Sequence, residues 1–209
     1  MTGDLPAIRA VLFDLGGVVL ESPFPAIRAF EQELGCDPGF VAAVVDYSAG
    51  TGAFADLERG EIEMEEFDRR FREETAARGC EIPGAELLAR IRESIPARPR
   101  MLAAVGSLRE HGYLTGAITN SWQGPNGWER LADRFDVYLD SSVEGIRKPD
   151  PAIYREACRR LRVHPFECVF LDDMGGNLKA ALTLGMRTIL VSDPDAALDE
   201  LGALLGLAL

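Results

Sequence analysis

Hydrophobic and polar positions follow two rhythms along this chain, and the change of rhythm divides it. Residues 10–13 are an apolar run that stops at Asp14 and the Gly16-Gly17 pair, the pattern of a buried strand ending in a tight turn. From Pro25 to Pro96 no run resembles a buried strand, and helix signals follow one another instead. Pro25 suits a first turn with Gly35 as its stop, and Asp37-Pro38 predicts an N-cap and first turn leading into residues 40–49. Phe67 and Phe71 share one helical face, while Leu87, Leu88, Ile91 and Ile95 mark another amphipathic helix that ends at Pro96.

After Pro99 strands and helices alternate. A helix through Leu102, Val105 and Leu108 reaches Gly112, and a strand covers 113–119. Asp150-Pro151 caps a helix through Ile153, Ala157 and Leu161; a strand at 168–171 precedes a helix over 175–185; a strand at 187–191 leads to a last helix opened by Asp193-Pro194. Such alternation implies a parallel sheet covered on both faces. The predicted fold is therefore α/β, a doubly wound, Rossmann-like core built from residues 1–20 and 98–209. A helical cap, residues 21–97, is inserted after the first strand.

Composition narrows the function. With 209 residues, 47% of them hydrophobic, the chain can bury a real core, which excludes a disordered tail. Its 22 Lys and Arg against 34 Asp and Glu give a net charge of -12, which disfavours nucleic acid and anionic membranes as partners. Cys36, Cys80, Cys158 and Cys168 show no short paired spacing and there are two histidines, so neither a zinc site nor a disulfide framework is expected. No apolar run has the length of a signal peptide or a membrane span, and a reducing cytoplasm is the expected address.

In an open parallel sheet the functional crevice lies beyond the carboxyl ends of the strands. The residues there are Asp14 after the first strand, Thr119-Asn120 after the second, and Asp172-Asp173 after the strand at 168–171, with Lys148 in a loop before a capped helix. A carboxylate, a hydroxyl beside a backbone turn, a cation and an acidic pair suit phosphoryl chemistry with a divalent metal. Taken singly, each has a structural explanation as a turn, cap or solvated charge. Other notable residues are read as structural: Trp122 and Trp128 as packing under their loop or in a subunit contact, the Arg155, Arg159, Arg160 and Arg162 cluster as a solvated face, and His111 as a helix end.

The strings FDLGGVV (13–19), ITNS (118–121), GIRKPDP (145–151) and VFLDDMGGNLKAALTLGM (169–186), in that order, resemble the haloacid dehalogenase superfamily of aspartate-nucleophile hydrolases. The later part is similar to the phosphatase-like N-terminal domain of soluble epoxide hydrolases. The resemblance implies that Asp14 is the nucleophile and forms an aspartyl phosphate. It implies Mg2+ held by Asp14, the Gly16 carbonyl and Asp173, with Asp172 helping directly or through water. Thr119 would bind the phosphoryl oxygens with the backbone N–H groups of Leu15, Gly16 and Asn120, and Lys148 would neutralise charge. A small phosphorylated metabolite is the implied substrate; a homodimer is compatible with the resemblance, which supplies no interface.

One position departs from the family pattern. Many such phosphatases carry a second aspartate two residues after the nucleophile to protonate the leaving group, and Gly16 stands there instead. Glu21, seven residues beyond Asp14 at the hinge into the cap, or a water, is the expected substitute. Two alternatives follow: a metal-independent dehalogenase attacking carbon, against which the acidic pair argues, and a weakly or non-catalytic ligand- or partner-binding member.

Overall fold

The computed structural model describes residues 7–48, 50–122 and 128–209. Five strands, β1 (Ala10–Phe13), β2 (Leu114–Thr119), β3 (Val137–Asp140), β4 (Cys168–Asp172) and β5 (Arg187–Leu190), form one parallel sheet in the order β3-β2-β1-β4-β5. The predicted doubly wound α/β core is present. Strand β1 is central, with Phe13 opposite Ala117 of β2 and Leu171 of β4. It is apolar throughout because the two-residue period of a strand sends both sets of side chains into a core. Val11 and Phe13 pack on the side of α6 (Pro99–Glu110) and α10 (Pro194–Leu205), whereas Ala10 and Leu12 pack on the side of α8 (Pro151–Leu161) and α9 (Gly175–Thr183).

Among the described residues, five α-helices lie between β1 and α6, namely α1 (Phe24–Leu34), α2 (Phe40–Tyr47), α3 (Ala53–Glu58), α4 (Met64–Ala76) and α5 (Gly84–Ser94), while the short α7 (Ser141–Glu144) follows β3. The chain leaves and re-enters the core side by side. The Glu21 N–H donates to the Pro96 carbonyl at 2.9 Å, and the Arg98 N–H to the Val19 carbonyl at 2.8 Å. Phe67 and Phe71 are fully buried and stack at 5.3 Å, with Phe54 edge-on to both, which gives this helical unit an aromatic centre.

Two expectations fail here. Helix α2 is not capped by Asp37; its N-cap is Gly39, and the buried Glu31 carboxylate of α1 accepts from the Gly39 and Val41 N–H groups, each at 2.8 Å. A neighbouring helix thus satisfies the orphan donors of α2. Cys36 and Cys80, 44 residues apart in sequence, are disulfide-bonded with Cα atoms 5.6 Å apart. Sequence spacing could not reveal the pair, because tertiary packing brings the end of α1 beside the end of α4. Cys158 and Cys168 are free and buried. Among the described residues no helix is long and apolar enough to cross a membrane.

Candidate active site

Strand order reverses direction at β1, whose neighbours β2 and β4 begin the two halves of the sheet, so a crevice opens beyond their carboxyl ends. Asp14 stands at its centre. It leaves β1 in an extended conformation, and its Oδ1 accepts from the Leu15 N–H at 2.6 Å and lies 2.7 Å from Lys148 Nζ. Lys148 is 1% exposed and reaches on to Asp172 Oδ2 at 2.8 Å.

Asp172 ends β4 fully buried. Besides Lys148, it accepts from the Met174 N–H at 2.7 Å, and Asn177 Nδ2 contacts both its oxygens at 3.0 Å. Its Oδ2 thus aims Lys148, while its Oδ1 is held by the Met174 N–H and Asn177. Asn120 has a positioning function that its sequence context did not show. Its side chain accepts from the Lys148 N–H at 2.8 Å and donates to the Lys148 carbonyl at 3.0 Å, fastening the lysine loop to the end of β2. Thr119, beside it, is 2% exposed.

The electrostatics are those of crowded carboxylates. Burial pushes Asp14 up to about 8; Lys148 opposes this, and Asp172 and Asp173 add to it. Burial and the neighbouring Asp172 bring Asp173 to about 6. Burial would lower the Lys148 ammonium, but the facing Asp14 and Asp172 hold it above its ordinary value.

One oxygen each from Asp14, Asp172 and Asp173 falls within a 4.8 Å group. A divalent cation would relieve this repulsion, and hard carboxylate and carbonyl oxygens suit Mg2+. The backbone also makes room: Gly17 has φ +76°, and a Cβ there would collide with the Asp173 carboxylate. The residues present fit the ion.

Around these groups lies a cavity of about 570 Å³, lined by Asp14, Gly16, Thr119, Lys148 and Asp173 from the core and by Phe24, Ile27, Phe54 and Ile91 from the helical insert. Trp122 and Trp128 are packed edge-to-face at 5.2 Å, and the pair forms part of the wall. Residues 123–127 of their loop lie outside the described residues. Gly16 faces open space, with no atom within 4 Å of where a Cβ would sit.

The structure does not bring Glu21 into that space. Its half-exposed side chain is ion-paired with Arg98 at 2.9 Å, and it is not among the residues lining the cavity. Arg98, fixed where the chain re-enters the core, pulls it aside. The cavity instead contains an acid that no motif marked: Glu58, at the end of α3, lies 2.6 Å from Arg147 Nε.

A parallel sheet with a nucleophile-type aspartate at its switch point, a buried lysine and an acidic pair defines an aspartate-centred hydrolase. The family model for haloacid dehalogenase-like hydrolases matches residues 8–185, and the chain belongs to that family. It is 35% identical over 207 residues to mouse acyl-CoA dehydrogenase family member 10, covering 96% of this chain and 19% of that protein. It is 31% identical to rat bifunctional epoxide hydrolase 2, covering 96% of this chain and 39% of that protein. The chain thus spans well under half the length of these relatives. Sesquiterpene phosphatase astK of Aspergillus oryzae is 26% identical, with 95% of this chain and 97% of that protein covered. Among solved structures, a Bacteroides thetaiotaomicron haloacid dehalogenase family enzyme in complex with magnesium and inorganic phosphate shares the fold. Its TM-score is 0.64 at 23% identity, covering 88% of this chain and 94% of that one.

Proposed function

We propose that this hydrolase is a Mg2+-dependent phosphatase that cleaves a small phosphorylated metabolite through an aspartyl phosphate on Asp14. The observation that carries the reading is the Asp14–Lys148–Asp172 chain of contacts, at 2.7 and 2.8 Å, beside Asp173. It supports the reading because a carboxylate at the end of β1, a fixed cation and the acidic pair at the end of β4 lie side by side. Support comes also from astK, a phosphatase over nearly its whole length, and from the phosphate held by the Bacteroides enzyme.

Asp14 attacks phosphorus, and Lys148, aimed by Asp172 and by the Asn120 clamp, offsets the negative charge that gathers on nucleophile and phosphoryl oxygens. Thr119 and the N–H groups of the Leu15–Gly16 turn and Asn120 hold those oxygens in place. Asp14, Asp173 and the Gly16 carbonyl, with Asp172 directly or through water, would hold Mg2+, which would supply the positive charge that lets a dianionic phosphate approach a carboxylate. Water then hydrolyses the aspartyl phosphate. Residues 21–97 act as the cap, and the apolar wall of Phe24, Ile27, Phe54, Ile91 and the tryptophan pair favours a phosphate ester with an apolar organic part. The setting in this reading is the cytoplasm and the partner a small molecule, and a homodimer is compatible with it.

The test is phosphate release from acetyl phosphate and p-nitrophenyl phosphate, with and without Mg2+, in the parent and Asp14→Asn. Metal-dependent turnover lost in Asp14→Asn supports the proposal. A folded, Mg2+-binding chain with no turnover would sink it in favour of a ligand- or partner-binding member, the alternative that Gly16 motivates. Halide release from a 2-chloro carboxylic acid without metal would favour the dehalogenase.

A further inference from the structure

Gly16 leaves the reaction without a proton donor at the usual place, and Glu21 is turned away. Two carboxyl groups of the helical insert line the cavity, Asp46, which is exposed, and Glu58, which is buried. Glu58 ends α3, lines the same cavity as Asp14 and is 9% exposed. Its Oε2 is buried and faces Arg147 Nε at 2.6 Å, a close charged contact.

We infer that Glu58, reaching in from the cap, is the acid–base group of the phosphatase reaction proposed above, in the role that Gly16 cannot fill. The inference rests on that reaction. As the Asp14 oxygen bonds to phosphorus and the ester P–O bond breaks, the Glu58 carboxyl gives its proton to the departing alkoxide and an alcohol leaves. The Glu58 carboxylate then takes a proton from the water that attacks phosphorus as the Asp14–phosphorus bond breaks. Inorganic phosphate departs with Asp14 free and Glu58 protonated again, so water and ester are the net reactants.

The surroundings suit both states of the group. Burial favours the neutral acid and raises Glu58 above its ordinary value, while Arg147, Lys148 and Arg59 oppose the shift and support the carboxylate once the proton has gone. Because Glu58 belongs to the cap and Asp14 to the core, proton delivery is coupled to cap position. Hydrolysis of the bound ester is then fastest when the cap covers it.

The experiment compares first-turnover rates for butyl phosphate, whose alkoxide needs a proton, and p-nitrophenyl phosphate, whose phenolate does not. The chains are the parent, Glu58→Gln and Glu58→Gln with Gly16→Asp, all in Mg2+. In Glu58→Gln the butyl ester rate is expected to fall by about 10²–10⁴ while the nitrophenolate burst changes by less than about 10-fold. Phosphoenzyme should accumulate after that burst, seen as the added mass of one phosphoryl group. Gly16→Asp should restore part of the lost rate.

Equal losses for both esters, or no loss for either, would overturn the role of Glu58 and leave Glu58–Arg147 a structural pair. A parent that forms no phosphoenzyme from either ester would defeat the phosphatase reading itself. Should the Gln chain not fold, Glu58→Asp must show the same selective loss of the butyl ester in smaller degree, and uniform behaviour there would equally overturn the proposal.

Discussion

Lys148 Nζ lies 2.7 Å from Asp14 Oδ1, with the lysine side chain 1% exposed and the carboxylate 11%. A lysine so enclosed cannot lose its partners to water, and it links the ends of β1 and β4 through Asp14 and Asp172. Lys148→Met would leave both carboxylates buried without it. Breaking such a pair costs about 3–5 kcal/mol, and removing an electrostatic stabiliser costs about 10²–10³ in kcat. Thermal melting without Mg2+ and phosphatase assays with it check the two effects; an unaltered melting temperature would show that the contact adds nothing to stability.

The raised Asp14 gives a pH dependence of definite sign. In the folded metal-free protein it keeps its proton to about pH 8, against an ordinary value of 3.8, so the folded state binds more protons than the unfolded one across that window. Stability contributed by this site is therefore greatest at low pH and declines as pH rises from about 4 to 8, with Asp173 contributing up to about 6. Asp14→Asn should melt progressively higher than the parent over that range without metal. Saturating Mg2+ should narrow the gap, because it binds the deprotonated parent. Parallel melting curves at every pH would contradict the assignment.

Gly16 can be replaced. Its φ of -61° is ordinary and no atom lies within 4 Å of the Cβ position. Gly16→Asp should keep the fold, shift the melting temperature by only a few degrees and, in the Glu58→Gln chain, raise turnover of alkyl phosphates by about 10-fold or more, the scale of a restored acid–base group. Steady-state kinetics on butyl phosphate checks this.

Gly17 cannot be replaced. Its φ of +76° strains any side chain, and the Cβ would strike Asp173. Gly17→Ala should weaken Mg2+ binding, measured by calorimetry, by at least about 10-fold through displacement of an acidic ligand. Unchanged affinity would remove Asp173 from the ligand set.

The Cys36–Cys80 bond closes a separation of 44 residues within the cap. Loop-closure entropy sets its contribution at up to about 4 kcal/mol, so reduction should lower the melting temperature. Thiol labelling of the denatured chain should count two cysteines before reduction and four after, since Cys158 and Cys168 are free. Four labelled cysteines before reduction would show the bond absent.

Much of the fold was legible because local chemistry dictates it. Asp150 and Asp193 accept from the Ala152 and Ala196 N–H groups as their place before Pro151 and Pro194 predicts. Glu31 shows the opposite limit, since a helix-interior glutamate gives no sign that it caps the next helix.

By itself the sequence determined the alternation of strands and helices, the presence of a helical insert, the acids and hydroxyl at strand ends and the lysine in the loop before α8, because periodicity, caps and motif order act over a few residues. Tertiary structure decided which of these groups touch. It gave Asp172 to Lys148, turned Glu21 to Arg98, joined Cys36 to Cys80 and brought Glu58 and Arg147 into the cavity with Asp14. Those pairings span tens of residues and depend on how the cap packs on the sheet, which no local pattern encodes.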